Sequence, residues 1–220
     1  SLARNIGYVP RSRKAALATI SFFVDTSSIT PTPATLTLKK GIVASSSGAF
    51  AGQSFVFSIL EDVTVPVFNG IASFDDLEIH EGVLLESNFT YSATNLNQKF
   101  ILPNAGIDTE LIRVTVKNNQ FATAAAKYSL QDSLFEINSD SKVYYIQEIE
   151  DERYELIFGD GVFGKALEEG NYISVNYIVN NGDAANGISQ FNFSGKLTYT
   201  RNSTEFNVTS GVSLVTPGVV

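Results

Sequence analysis

The segment Gly159-Asp160-Gly161-Val162-Phe163-Gly164 carries the G-x-G-x-x-G spacing of a dinucleotide-binding loop. Such a loop works only where it opens a long helix, whose N-terminal amides hold a pyrophosphate. Here Lys165 to Glu169 alone separate it from Gly170-Asn171 and the next apolar run, room for little more than about one helical turn. The glycines therefore read as a shaped hairpin connection between strands. Oxygen-rich stretches invite a calcium reading: Asp132 to Asp140, Asp160, and Asp183 with Asn180, Asn181 and Asn186. None has the regular ligand spacing of an EF-hand loop. Asn and Asp also populate turns because they tolerate left-handed backbone, and that is the reading adopted.

The carboxylate pairs Glu61/Asp62 and Asp75/Asp76 are sequence neighbours. Adjacent strand residues point to opposite faces, so adjacency does not build a catalytic dyad. The single histidine, His80, lies at a strand end beside Glu78 and Glu81 and reads as a surface or turn residue. With no cysteine and one histidine, neither a thiolate metal site nor a multi-histidine site can be assembled from one chain. No enzyme, cofactor or metal is expected. Four Asn-x-Ser/Thr sequons, at Asn88, Asn192, Asn202 and Asn207, are expected by chance in a chain this rich in Ser, Thr and Asn.

Composition points the same way. Hydrophobic residues make up 44% of the 220 and charged ones only 17%, enough for a packed core and too apolar for disorder. The net charge of -8, with the one dense basic cluster confined to Arg4, Arg11, Arg13 and Lys14, argues against nucleic acid. No apolar run approaches a membrane span, so no membrane contact is expected. The opening serine, the lack of methionine and the ending at Val220 read as an internal fragment of a longer protein.

The elements that must position these residues are strands. Ala34–Lys39 alternates Leu36 and Leu38 against Thr35, Thr37 and Lys39, the period of a half-buried strand. Ile112, Val114 and Val116 repeat it, as do Ile173, Val175, Tyr177 and Val179. Residues 55–91 read as a meander broken at Glu61-Asp62, Asn69-Gly70 and Glu81-Gly82, with Asn69-Gly70 suited to a tight hairpin turn. Asp151-Glu152 is a second hairpin tip. Gln120–Leu134, with three adjacent alanines, is assigned a short helix. The expected fold is mainly β: two small sandwich-like or barrel-like domains of antiparallel strands with at most short helices. Residues 1–14 are a connector from an upstream helical region, 15–95 the first β domain, 96–190 the second, and 191–220 a β-like segment returning to the first.

Two stretches resemble the wedge-forming baseplate protein of T-even-type contractile phages and the wider baseplate-J-like family. One is Ala3-Arg4-Asn5-Ile6-Gly7-Tyr8-Val9-Pro10-Arg11-Ser12-Arg13-Lys14-Ala15-Ala16. The other is Tyr154-Glu155-Leu156-Ile157-Phe158-Gly159-Asp160-Gly161-Val162-Phe163-Gly164-Lys165, continuing through Tyr172–Val179 to Asn186-Gly187. Glu61-Asp62-Val63-Thr64-Val65-Pro66 is similar to a recurring early-strand phrase of such proteins. The resemblance implies a structural component of the tail baseplate, found in the virion and assembled in the host cytoplasm. It implies homo-oligomers with dimer contacts inside a ring around the central hub, and other wedge subunits as partners. Partner contacts are expected at the basic connector, Arg4, Arg11, Arg13 and Lys14, and at the loop from Asp160 to Lys165. The competing reading is a carbohydrate- or receptor-binding β-module, with Tyr144, Tyr145, Tyr154 and Tyr172 as a stacking platform.

Overall fold

The computed structural model describes residues 12–48 and 52–218. The chain divides into two units. One is split in sequence, Lys14–Leu84 and Asn180–Val220; the other, Leu85–Val179 with Ser12 and Arg13, is inserted between its halves. The protein is mainly antiparallel β, and its described helical content is limited to short 3-10 turns.

Strands follow in the order β1 (Leu17–Asp25), β2 (Thr35–Leu38), β3 (Gly41–Ser46), β4 (Val56–Ile59), β5 (Val63–Phe68) and β6 (Ile71–Glu81). The inserted unit holds β7 (Val83–Thr90), β8 (Phe100–Leu102), β9 (Ile107–Lys117), β10 (Ala125–Leu130), β11 (Val143–Glu148), β12 (Tyr154–Phe158) and β13 (Tyr172–Val179). Last come β14 (Phe191–Phe193), β15 (Leu197–Arg201), β16 (Thr204–Val208) and β17 (Thr216–Pro217).

The split unit is one sheet in the order β14-β3-β4-β6-β5-β2-β15-β16, with β1 also on β6 and β17 on β1. β6 is its spine. β1 pairs along one edge from Leu17↔His80 to Asp25↔Ile71, while β5 takes the start of the other edge and β4 its end. Leu36 and Leu38 are fully buried, as their alternation requires, and Phe22 stacks on Phe74 with centroids 4.8 Å apart. Asn69 (φ 48) and Gly70 (φ 78) make the expected tight turn between β5 and β6.

The meander assigned to residues 55–91 is not formed. β4 and β5 both pair with β6 and not with each other, and β7 goes on into the other sheet. The reason lies at Glu61-Asp62. The Asp62 carboxylate accepts the Lys40 backbone N–H at 2.8 Å and the Lys39 ammonium at 2.9 Å, steering the turn toward β2, on which β5 then pairs.

The inserted unit is a sheet in the order β7-β13-β9-β10-β11-β12-β8. Its two end strands nearly meet. The Phe89 and Phe100 rings touch edge to face at 5.5 Å, and the Gln98 amide donates to the Thr90 carbonyl at 2.8 Å while accepting the Ser92 N–H at 2.9 Å. Inside lie the alternating residues of β9 and β13, in the register Val116↔Ile173, Val114↔Val175 and Ile112↔Tyr177. The helix assigned within Gln120–Leu134 is instead β10. Its alanines pair with β9 (Ala126↔Val116), and Tyr128 buries its ring in the core. Cross-strand packing overrides the alanines' helix propensity.

At the point of insertion, the Glu81 side chain ends β6 almost fully buried, at 1% exposure. Asn181, in the returning chain, donates to its two carboxylate oxygens: the backbone N–H at 2.8 Å and the side-chain amide at 2.6 Å. The Ser58 hydroxyl and the Val56 carbonyl satisfy the next residue, Gly82. Glu81→Ala should remove both hydrogen bonds from Asn181 and destabilise the split unit by about 1–3 kcal/mol. Glu81→Gln, which keeps one acceptor, should lose less. Urea unfolding of the two variants checks the order; equal loss, or none, contradicts the role given to this carboxylate.

Candidate assembly surfaces

The glycine loop is built by close backbone approach. A Cβ on Gly159 would lie 2.2 Å from the Gly164 carbonyl carbon, and one on Gly164 (φ +101) would lie 2.8 Å from a Val143 methyl. Only glycine fits either position. Within the loop the Gly161 N–H donates to the Gly164 carbonyl at 3.0 Å. The segment 131–142 clamps it from outside, through Gly164 N–H to the Asn138 carbonyl at 3.0 Å and Lys165 N–H to the Ser141 carbonyl at 2.8 Å. Asp160 closes the turn: its Oδ1 accepts the Phe163 and Val162 N–H groups at 2.8 and 2.9 Å. Those two backbone donors hold its carboxyl below the ordinary aspartate value.

The loop is not a hairpin connection. β12 pairs with β11 and β8, whereas β13 pairs with β9 and β7, so the glycines carry the chain between non-neighbouring strands. The chain passes from Lys165 to a turn and β13 without a helix, which removes the amide array a pyrophosphate needs.

Of the residues singled out in the sequence, Asp160 and Lys165 share this loop, Asp160 exposed and Lys165 half-buried. Val162 in the same loop is 63% exposed, and Phe135, in the segment that supplies Asn138 and Ser141, is 85% exposed. Arg13 sits elsewhere. Its guanidinium faces Glu152 at 3.9 Å, at the opposite end of β12, in a cleft of about 360 Å³ shared with Gly106, Ile107, Glu148 and Tyr154. Ser12 anchors that stretch, its hydroxyl accepting the Thr109 N–H at 2.9 Å. Lys14 is exposed at the start of the split unit. Arg4 and Arg11 lie outside the described residues.

The tyrosines do not form a stacking platform. Tyr144, Tyr145 and Tyr154 are 2%, 5% and 3% exposed, and burial pushes the Tyr144 phenol up to about 12 against the pull of Arg113. The Asn and Asp oxygens behave as turn-formers: Asn138 Oδ1 accepts the Asp140 N–H, and Asn180 Oδ1 accepts the Gly182 N–H.

Sequence reasoning missed the β15–β16 hairpin as a surface. Asn202 (φ 50) and Ser203 (φ 62) form a two-residue turn, and pairing runs from Arg201↔Thr204 to Leu197↔Val208. β16 ends the sheet, with Thr204 to Asn207 exposed. The Phe206 ring stacks on Tyr199 at 5.3 Å, and Arg201 lies over the same tyrosine while donating to the Pro31 carbonyl. The available signal was Asn202-Ser203 between two alternating runs, read only as a sequon.

Residues 84–184 match the family model described as bacteriophage baseplate wedge protein gp6, third domain. The match spans the inserted unit, Leu85–Val179, from end to end. No curated protein matches the chain.

Gly159→Ala should cost more than roughly 2 kcal/mol, because backbone rather than a flexible side chain must give way. Urea unfolding of the variant measures it. For Asp160 the pKa falls on folding, so its stabilisation is complete above the ordinary value of 3.8 and is lost as pH falls through the lowered one. Asp160→Ala should therefore loosen the loop at neutral pH and leave it unchanged from the parent in strong acid, as read from the Val162 and Phe163 amide resonances.

Proposed function

We propose, from the premise that the inserted unit belongs to the gp6 third-domain family of baseplate wedge proteins, that the whole chain is a structural part of a phage tail baseplate wedge. It assembles with copies of itself and with other wedge subunits into the ring around the central hub. The observation that carries this reading is the coincidence of the family match with one complete folded unit. A motif scattered over two units would carry less.

The structural chemistry supports the role. The glycine loop is fixed by main-chain bonds within itself and to Asn138 and Ser141, so Val162 is offered to a partner on a rigid base, with exposed Phe135 in the bracing segment as a second apolar group. Preorganised apolar groups bind without the ordering cost a flexible loop would incur. Partner contacts fall on this loop, with Asp160 and Lys165 at its rim, and on the basic stretch Arg4, Arg11, Arg13 and Lys14. The chain works as a scaffold rather than a catalyst, resident in the virion tail baseplate after assembly in the host cytoplasm.

Purified chain mixed with the other wedge proteins should co-sediment with them. Replacing Phe135 and Val162 together by Asp should weaken that association by about tenfold or more, equivalent to ~1.4 kcal/mol. A chain that stays monomeric at every concentration and binds no wedge component overturns the reading.

A further inference from the structure

The split unit leaves three sheet ends open, and they are not alike. β14 is three residues long, and β17 is two and includes Pro217, which has no N–H to offer. Short or proline-bearing edges resist unwanted pairing. β16 has five residues and neither protection, since no strand lies beyond it among those described.

Its register shows what the bare edge presents. In a hairpin closed by two residues, the flanking pair Arg201↔Thr204 is hydrogen-bonded, and bonded and non-bonded pairs alternate from there. Thr204, Phe206 and Val208 thus turn their main-chain groups inward to β15. Glu205 and Asn207 turn theirs outward. The outward set is self-complementary about Phe206: an antiparallel copy of the same strand puts Glu205 opposite the copy's Asn207, and Asn207 opposite its Glu205. Both pairs then exchange N–H and C=O groups, four bonds in all by this geometry.

The side chains agree. Phe206 meets its own mate at a non-bonded pair, where side chains come closest. Each Glu205 carboxylate faces an amide rather than another carboxylate, and its charge is already answered by Lys39 at 3.4 Å and Lys196 at 4.0 Å. Like charges that would oppose pairing are absent from the described strand's own facing positions.

We propose that β16 is a self-pairing edge, through which two copies of this chain join their sheets about a two-fold axis at Phe206. The inference rests on the assembly reading above and names one of its contacts. Five residues a side bury far less than the ~1,000 Å² of a stable interface, so the pair forms weakly in dilute solution. It consolidates where other baseplate contacts raise the local concentration.

The chain has no cysteine, so introduced ones report without background. Phe206→Cys, Thr204→Cys and Val208→Cys, each in the full 220-residue chain, are oxidised at high concentration and resolved on non-reducing gels, with circular dichroism confirming the fold. Phe206→Cys should form dimers about tenfold faster than Thr204→Cys, whose thiols would lie roughly 13 Å apart along the paired strands. A mixture of Thr204→Cys and Val208→Cys should cross-link faster than either alone, because the register sets those two positions opposite each other. Equal rates at positions 204 and 206, or no gain in the mixture, overturn the register. If that happens while the parent chain still co-sediments with wedge proteins, only this inference falls. If co-sedimentation fails too, the assembly reading falls with it.

Discussion

The Glu81 carboxylate is buried at the end of a strand and takes both of its hydrogen bonds from Asn181, one hundred residues further along the chain. A buried charge is tolerated only when its oxygens are satisfied, so the two segments cannot drift apart without stranding it. That constraint is what lets a complete β unit be inserted within another. The chain leaves at Gly82 and comes back at Asn180, and the split sheet still closes, because β14 to β17 return to β3, β2 and β1. Closing so long a loop costs entropy that grows only slowly with length, by about 0.6 kcal/mol per doubling. A few well-made bonds at the junction therefore go far toward offsetting it.

The two units solve the problem of sheet edges differently. In the inserted unit the seven strands curl until the end strands face each other, and Gln98 with the Phe89–Phe100 contact seals most of the gap. A sheet that nearly closes leaves little main chain for others to pair with, so recognition has to be carried by loops. The glycine loop suits this, since it is held by its own backbone and by the 131–142 segment. The split unit stays open, and its recognition can be carried by strand edges instead. The two contacts proposed above differ accordingly, one resting on side chains of a rigid loop and the other on main chain at an edge.

How much of this was legible in the sequence follows from distance along the chain. Strand identity is a local property, written in alternation. Leu36 and Leu38, or Ile112, Val114 and Val116, announce their buried face within a few residues. Tight turns are local too, and Asn69-Gly70 fixed the β5–β6 hairpin by itself. Strand order is not local. The swing of β5 from β4 to β2 depends on Asp62 meeting Lys39 and Lys40, some twenty residues away, and nothing near Glu61-Asp62 reveals it. The alanines before Tyr128 failed as a helix for the same reason: β9 was waiting as a pairing partner.

The candidate sites divide along the same line. The phrase Gly159-Asp160-Gly161-Val162-Phe163-Gly164 was readable as a loop of fixed shape, because the need for glycine is steric and shows in the residue type. That it joins non-neighbouring strands, and that Asn138 and Ser141 brace it, depends on the barrel around it and could not be seen. Arg13 shows the converse. As a residue type it suggested an acidic partner, and the structure supplies an acidic group from within the chain, Glu152 at 3.9 Å. At 46% and 71% exposure the pair is worth little in water, so it orients the arginine without consuming it. So exposed a pair leaves the partner contact proposed for Arg13 to compete with a weak internal ion pair rather than a buried one. The intramolecular pair and an intermolecular contact are thus compatible states of one side chain.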